Sequence, residues 1–331
     1  MGCSSGGTAV RHTPQPSPSS APPTTTTKLV HFRTLDWAMP SLRRVLVILD
    51  FVLEPGGEVV ASSITYAGFV GVLTGVRSGV SLSLNFRAVR SEGGWGEGLR
   101  YYWHLALVLL GFRRGIGSIL RGYLIPRGGA AATVDVSARG SLPSCADVVE
   151  QLSCREKPLL STACYLCFSS GCETTIVEKD LSTAKLRSST EFIVVTNADV
   201  DDETNNAANR PEDRAMSKLA GKAAKTAKKA APPPVTALEE LIEDANERKV
   251  CAEKNYRSLL RHRSKALRTR GSDDLEDPGY SSALLPSVGD IVELVQKYPT
   301  TNECTHFAAV LDPLEGKIAW CRYWLEPVDE V

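Results

Sequence analysis

What most restricts the fold of this chain is a pair of blocks of short, turn-bounded apolar segments, one on each side of a stretch with helical periodicity. In the first block Leu29–Phe32, Arg44–Val52 and Val59–Thr65 read as strands, with Pro55-Gly56-Gly57 supplying a hairpin turn between the second and third. Phe69–Leu73 and Val80–Phe86 read as a further pair joined across residues 75–79, so this part is predicted to be an antiparallel meander. Gly98–Phe112, Ile116–Leu124 and the segment capped by Ser144 (SCADVVEQL) then place apolar residues at helical spacing. The second block is Ser161–Ser169, Thr174–Glu178, Ala184–Ser188 and Glu191–Thr196. Two runs of strands around central helices predict an α+β layered fold with no internal repeat.

Between and beyond these blocks the composition changes. Residues 8–27 are rich in Pro, Ser and Thr and are predicted to form a mobile loop. Residues 200–235 combine DDETNN, an Ala/Lys tract and three prolines, the pattern of a variable surface insertion. Thr236–Lys265 reads as a long charged helix, acidic first and basic after. A loop over 271–284, a helix over Gly289–Tyr298 and a strand pair, Thr305–Leu311 and Lys317–Tyr323, complete what reads as a single domain over 1–331.

Charge and apolar runs limit the function classes. Lys+Arg and Asp+Glu both total 38, so no net field draws nucleic acid, and the basic end of the long helix (Arg257, Arg261, Arg263, Lys265, Arg268) lacks interleaved aromatics. That end is either a solvated helix face or a contact for an anionic membrane. The most apolar stretch, Tyr101–Phe112, is far shorter than the roughly 20 residues that span a bilayer and stops at Arg113-Arg114. There is neither a leader-like start nor an Asn-x-Ser/Thr sequon, which reads as cytoplasmic; a vacuolar or lysosomal location would need an upstream segment. Nine cysteines, an odd and scattered set, favour reduced thiols. Cys164, Cys167 and Cys172 have metal-like spacing but no fourth ligand nearby, so no metal or cofactor is expected.

Four places can carry chemistry. Cys3, in Met-Gly-Cys-Ser-Ser-Gly, becomes a nucleophile with its own base if the chain is cut before it, because an α-amine titrating near 7.7–8.0 then sits a few bonds from the thiol. The same start also resembles a lipidation signal, although position six is Gly6 rather than Ser or Thr. Arg33 and Asp36 at a strand end can turn toward one point, or form a plain surface ion pair. The glycine-rich run Gly68-Phe69-Val70-Gly71, followed by Asn85 and Arg87, suits a substrate-lining strand or a simple bend. Asn197, ending the strand Val194-Val195-Thr196, could donate to an oxyanion or merely close a turn.

In order along the chain, Cys-Ser-Ser, the Arg-x-Leu-Asp of Arg33–Asp36, the run Gly-Phe-Val-Gly-Val-Leu-Thr-Gly, the Asn-x-Arg of Asn85–Arg87 and Thr196-Asn197 resemble the acid ceramidase and N-acylethanolamine-hydrolysing acid amidase family. These are N-terminal nucleophile hydrolases related to penicillin V acylase and bile salt hydrolase. The chain resembles a fungal-type member without the family's N-terminal α segment, which would be an intramolecular partner. The middle of the family's Asn-Glu-Arg is Phe86 here.

The resemblance implies a four-layer αββα sandwich of two antiparallel sheets, autocatalytic cleavage before Cys3, and hydrolysis of the amide bond of N-acyl lipids, ceramide or N-acylethanolamine, through a thioester. It assigns Cys3 as nucleophile, Arg33 and Asp36 as its charged neighbours, Asn197 as oxyanion donor and Arg214 as a further active-site arginine. Trp37, Gly68, Phe69, Asn85 and Arg87 become substrate contacts. The alternative is an inactive, membrane-peripheral interaction protein that keeps the fold.

Overall fold

The computed structural model describes residues 2–12, 26–87, 95–125, 142–199, 237–269 and 283–327. Residues 13–25, the insertion from 200 to 236, including Arg214, and most of the 271–284 loop lie outside that set. The strands are β1 (Gly2–His12), β2 (Thr26–Asp36), β3 (Leu46–Val52), β4 (Val59–Tyr66), β5 (Thr74–Arg77), β6 (Val80–Phe86), β7 (Cys164–Ser169), β8 (Thr174–Lys179), β9 (Ala184–Ser189), β10 (Phe192–Val195), β11 (Thr305–Asp312) and β12 (Lys317–Tyr323). The helices are α1 (Trp95–Leu109), α2 (Ile116–Leu124), α3 (Cys145–Ser153), α4 (Ala237–Thr269) and α5 (Val288–Gln296).

The strands form a five-stranded sheet, β10-β1-β2-β11-β12, and a seven-stranded sheet running β3 to β9 in order, with antiparallel pairing throughout. Strand periodicity then sorts the side chains into layers. Along β6, Val80 and Leu82 pack with Leu120 and Leu124 of α2 and Val148 and Leu152 of α3. Their neighbours Ser81, Ser83 and Asn85 face the other sheet. Along β2, Val30 and Phe32 pack with Ala252 and Tyr256 of α4 and with Ile291, Leu294 and Val295 of α5. The result is the expected αββα sandwich.

The layer between the sheets is partly polar. His31 bridges them, its Nδ1 3.0 Å from Ser81 Oγ and its Nε2 2.9 Å from Ser83 Oγ. Burial, with Arg33 nearby, pushes the His31 imidazole down to about 3, so it sits between the sheets uncharged.

Three local expectations change. Residues 8–12, expected in the loop, continue an eleven-residue strand from Gly2. That strand has few large apolar residues because it needs small ones: a Cβ on Gly7 would lie 1.9 Å from Thr174 Oγ1 of the facing sheet. Phe69–Leu73 is not a strand; β5 is Thr74–Arg77, inside the expected turn, and the hairpin to β6 closes over Ser78-Gly79. Arg44 lies in a 3-10 turn, Pro40–Val45, and β3 begins at Leu46.

Candidate active site

The register of β1 builds the site. Cys3 pairs with Leu35 of β2 on one side. On the other, β10 pairs Ser5 with Val195, and continuing that antiparallel register past the strand end brings Asn197 beside Cys3. Asn197 Oδ1 accepts the Cys3 N–H at 2.7 Å, while Asn197 Nδ2 donates to the Phe86 carbonyl at 2.6 Å. A backbone N–H only donates and a carbonyl only accepts, so the two neighbours fix which end of the amide faces Cys3. Asn197 is expected to donate to an oxyanion; the Phe86 carbonyl takes one of its two Nδ2 hydrogens, and its Oδ1 meets the Cys3 nitrogen.

Cys3 is buried and its side chain faces the inter-sheet layer with Leu35, Ile64 and Phe307. Arg33, fully buried, faces the same layer, because residues 33 and 35 share a face of β2. Its Nη2 donates to Cys3 Sγ at 3.6 Å and to the Leu84 carbonyl at 2.8 Å, and its Nη1 donates to Ser5 Oγ at 2.8 Å and to Asn85 Oδ1. The guanidinium thus stands where negative charge on sulfur, or on a carbonyl oxygen it attacked, would develop.

Asp36 does not join Arg33 at one point. An odd spacing in a strand puts the two on opposite faces, and Asp36 turns toward α4. There it accepts from Thr305 Oγ1 at 2.7 Å and from Arg248 Nη1 at 3.3 Å. Burial raises its carboxyl above the usual range, against the pull of Arg248 and Thr305. Arg248 also donates to Ser4 Oγ (3.3 Å) and to Asn197 Oδ1 (3.2 Å), so it ties α4 to the start of β1. A Cβ on Gly2 would lie 2.9 Å from Arg248 Nη2 and 3.2 Å from Asp36 Oδ2, so this pair packs closely against the residue before Cys3. Sequence reasoning did not single out Arg248. The available signal was its place in the acidic half of a predicted helix, four residues after Asp244, with which it also pairs at 3.0 Å.

Cys3 opens onto a cavity of about 420 Å³ whose walls are mainly apolar: Leu35, Trp37, Leu42, Tyr66, Phe69, Leu73, Leu84 and Ile116, with Arg33 and Asn85 as polar members. Tyr66 and Trp37 meet edge to face at 5.7 Å. His306 donates from Nε2 to the Trp37 carbonyl (2.8 Å), so its Nδ1 accepts the Tyr66 hydroxyl proton at 2.8 Å. Burial, and then the nearby Cys3, raise the Tyr66 hydroxyl and keep it neutral.

The remaining expected residues divide. Trp37, Phe69 and Asn85 line the cavity. Asn85 spends its amide protons on the carbonyls of Val195 (3.3 Å) and Thr196 (3.2 Å), fastening β10 to β6. Arg87 does not line the cavity: it pairs with Asp199 and with Asp180 at 3.6 Å, behind Tyr165. Gly68 is not among the lining residues either and forms the turn after β4 with φ of 87°. Cys164 and Cys167, three apart in β7, point to opposite faces, one toward α2 and α3 and one between the sheets, so their spacing does not converge.

Two facing antiparallel sheets between helical layers form an αββα sandwich, with a cysteine at the start of a central strand and an arginine against its sulfur. Among solved structures, the chain is similar to the Caenorhabditis elegans N-acylethanolamine-hydrolyzing acid amidase ortholog, with a TM-score of 0.51 and 17% identity, covering 93% of this chain and 93% of that one. The two share a fold. No family model matches the sequence, and no curated protein does.

Proposed function

We propose that the chain is an amide hydrolase for N-acylated lipids, with Cys3 as its nucleophile once the bond after Gly2 is cut. One observation carries the reading: the Cys3 nitrogen and sulfur are held at once, by Asn197 Oδ1 at 2.7 Å and Arg33 Nη2 at 3.6 Å, at the edge of an apolar cavity. The fold shared with an N-acylethanolamine-hydrolyzing acid amidase ortholog supports it.

Cutting the Gly2–Cys3 bond turns the Cys3 amide nitrogen into an amine that takes the thiol proton. Asn197, accepting one amine hydrogen, turns the lone pair toward sulfur. The thiolate adds to the substrate carbonyl, and Arg33 stands beside the developing oxyanion. Collapse breaks the C–N bond, the amine's proton goes to the leaving nitrogen, and a thioester remains on Cys3. Water, deprotonated by the same amine, hydrolyses the thioester to the fatty acid and restores the thiol. At about 420 Å³ and with mainly apolar walls the cavity suits an acyl chain, within the roughly 300–1,000 Å³ of small-molecule clefts.

A membrane contact would come from α1 rather than from the basic end of α4. Leu99, Tyr102, Trp103 and Leu109 of α1 are exposed, as are Phe69 at the cavity wall and its neighbour Val70. In α4, by contrast, Arg263 is paired with Asp290 at 2.6 Å and Arg257 with Glu253 at 3.0 Å.

The test is to express the full chain, measure the mass of its N-terminus, and assay hydrolysis of N-palmitoylethanolamine and of a ceramide. A mature start at Cys3 with hydrolysis of either substrate is expected, and Cys3→Ala should lose both. Hydrolysis that survives Cys3→Ala, or a wild-type chain that keeps Gly2 and cleaves neither substrate, overturns the proposal.

A further inference from the structure

A second cavity, of about 480 Å³, lies among α1, α2, α3 and residues 159–160, apart from the Cys3 site. Its polar lining is His104, Arg113, Arg114, Tyr123 and Gln151, with no carboxylate among the described residues. His104 is buried, and Arg113 Nη1 lies 3.3 Å from its Nδ1. Arginine only donates, so Nδ1 accepts and the ring proton is on Nε2. That Nε2 is itself buried and meets no hydrogen-bond partner. Tyr123 Oη donates to Gln151 Oε1 at 3.3 Å, which uses the acceptor end of that amide. The cavity lining therefore gathers cations and offers few acceptors, with Arg113 held against the buried His104 ring. Burial first, and then the charges of Arg113 and Lys179, hold His104 below its ordinary pKa. Ile119, Leu159 and Leu160 supply the apolar part of the lining.

We propose that this cavity binds the anionic head of an amphiphile, a carboxylate or a phosphate, its oxygens accepting from Arg113 and Arg114 and its chain lying along Ile119, Leu159 and Leu160. The site does not depend on the amidase reading. It is nonetheless adjacent: α2 presents Ile116 to the first cavity and Ile119 to the second, and the segment 159–164 borders both.

Calorimetric titration of the full chain with octanoate, octyl phosphate and octanol tests it, because the three share a tail and differ in the head. The expected result is a saturable component for at least one anionic probe, absent for octanol, retained in Arg114→Lys and weakened by about tenfold or more in Arg114→Glu, since charge-assisted hydrogen bonds are the strong ones. The head that binds more tightly identifies the source. Binding in the Cys3 cavity is indifferent to Arg114→Glu and so separates from it. Circular dichroism of each variant checks folding, and Arg114, being exposed, is a mild place to substitute. No component sensitive to Arg114→Glu, or a sensitive component equally strong for octanol, overturns the proposal.

Discussion

Asn197 presents its acceptor oxygen, 2.7 Å away, to the nitrogen of Cys3, and one of its two amide hydrogens goes to the Phe86 carbonyl. If that nitrogen is the catalytic base, the charge at position 197 sets where it titrates. Asn197→Asp places a carboxylate against the amine and favours its protonated form, so the rising limb of kcat/KM against pH should move up by about one unit. Asn197→Leu should lower kcat/KM by about a hundredfold without that shift. An unmoved limb in the Asp variant would show that the amine is not the base.

Arg248 and Asp36 are a buried pair, 3.3 Å apart, with Thr305 as the other partner of the carboxylate. Arg248→Met strands the carboxylate and is expected to destabilise the fold by about 3–5 kcal/mol in urea unfolding. Adding Asp36→Asn to the same chain should recover at least half of that loss. Equal instability of the single and double variants would mean that Arg248 acts through packing on Ser4 and Gly2 instead.

His31 makes stability depend on pH with a definite sign. Its folded pKa is about 3 against an ordinary 6.5, so between those values the unfolded chain holds the extra proton. Its contribution is complete above pH 6.5 and is lost as pH falls toward 3, at about 1.4 kcal/mol per unit. His104 and His306 are shifted in the same direction, so the measurement is a difference: unfolding free energy against pH for wild type and for His31→Gln. The wild-type curve should be steeper in that window; parallel curves would contradict the buried neutral imidazole.

Ala163 lines the Cys3 cavity, and Ala163→Phe should shorten the space open to an acyl chain. For a series of N-acylethanolamines, kcat/KM is expected to fall most for the longest chains, by up to about fourfold per methylene excluded, the equivalent of about 0.8 kcal/mol each. A loss equal for short and long chains would place the acyl group elsewhere.

The layered α+β class could be read from the sequence, because alternation in Val80–Phe86 and the apolar run before Asn197 record which side of a sheet is buried. The αββα arrangement itself came from the family resemblance, which also chose among the alternatives that the residues left open for Cys3, Arg33, Asp36 and Asn197. The structure does bring Arg33 and Asn197 to Cys3, but the geometry was less legible. The strand carrying Cys3 could not be seen, since GCSSGGTAV lacks the large apolar residues that announce a strand and uses small ones to approach Thr174 and Arg248 closely. Arg33 and Asp36 look like partners in sequence and are separated by strand parity. Arg248 reaches the site through α4 from the far side of the insertion, a contact of long sequence separation that no local pattern encodes.

β1 is zipped to β2 along its whole length from Gly2 to His12 and to β10 from Ser5 to Thr8. A backbone severed after Gly2 would therefore leave its new first residue already seated, with neighbours on both flanks. The looseness that makes most termini poor places for chemistry is removed here by the sheet itself.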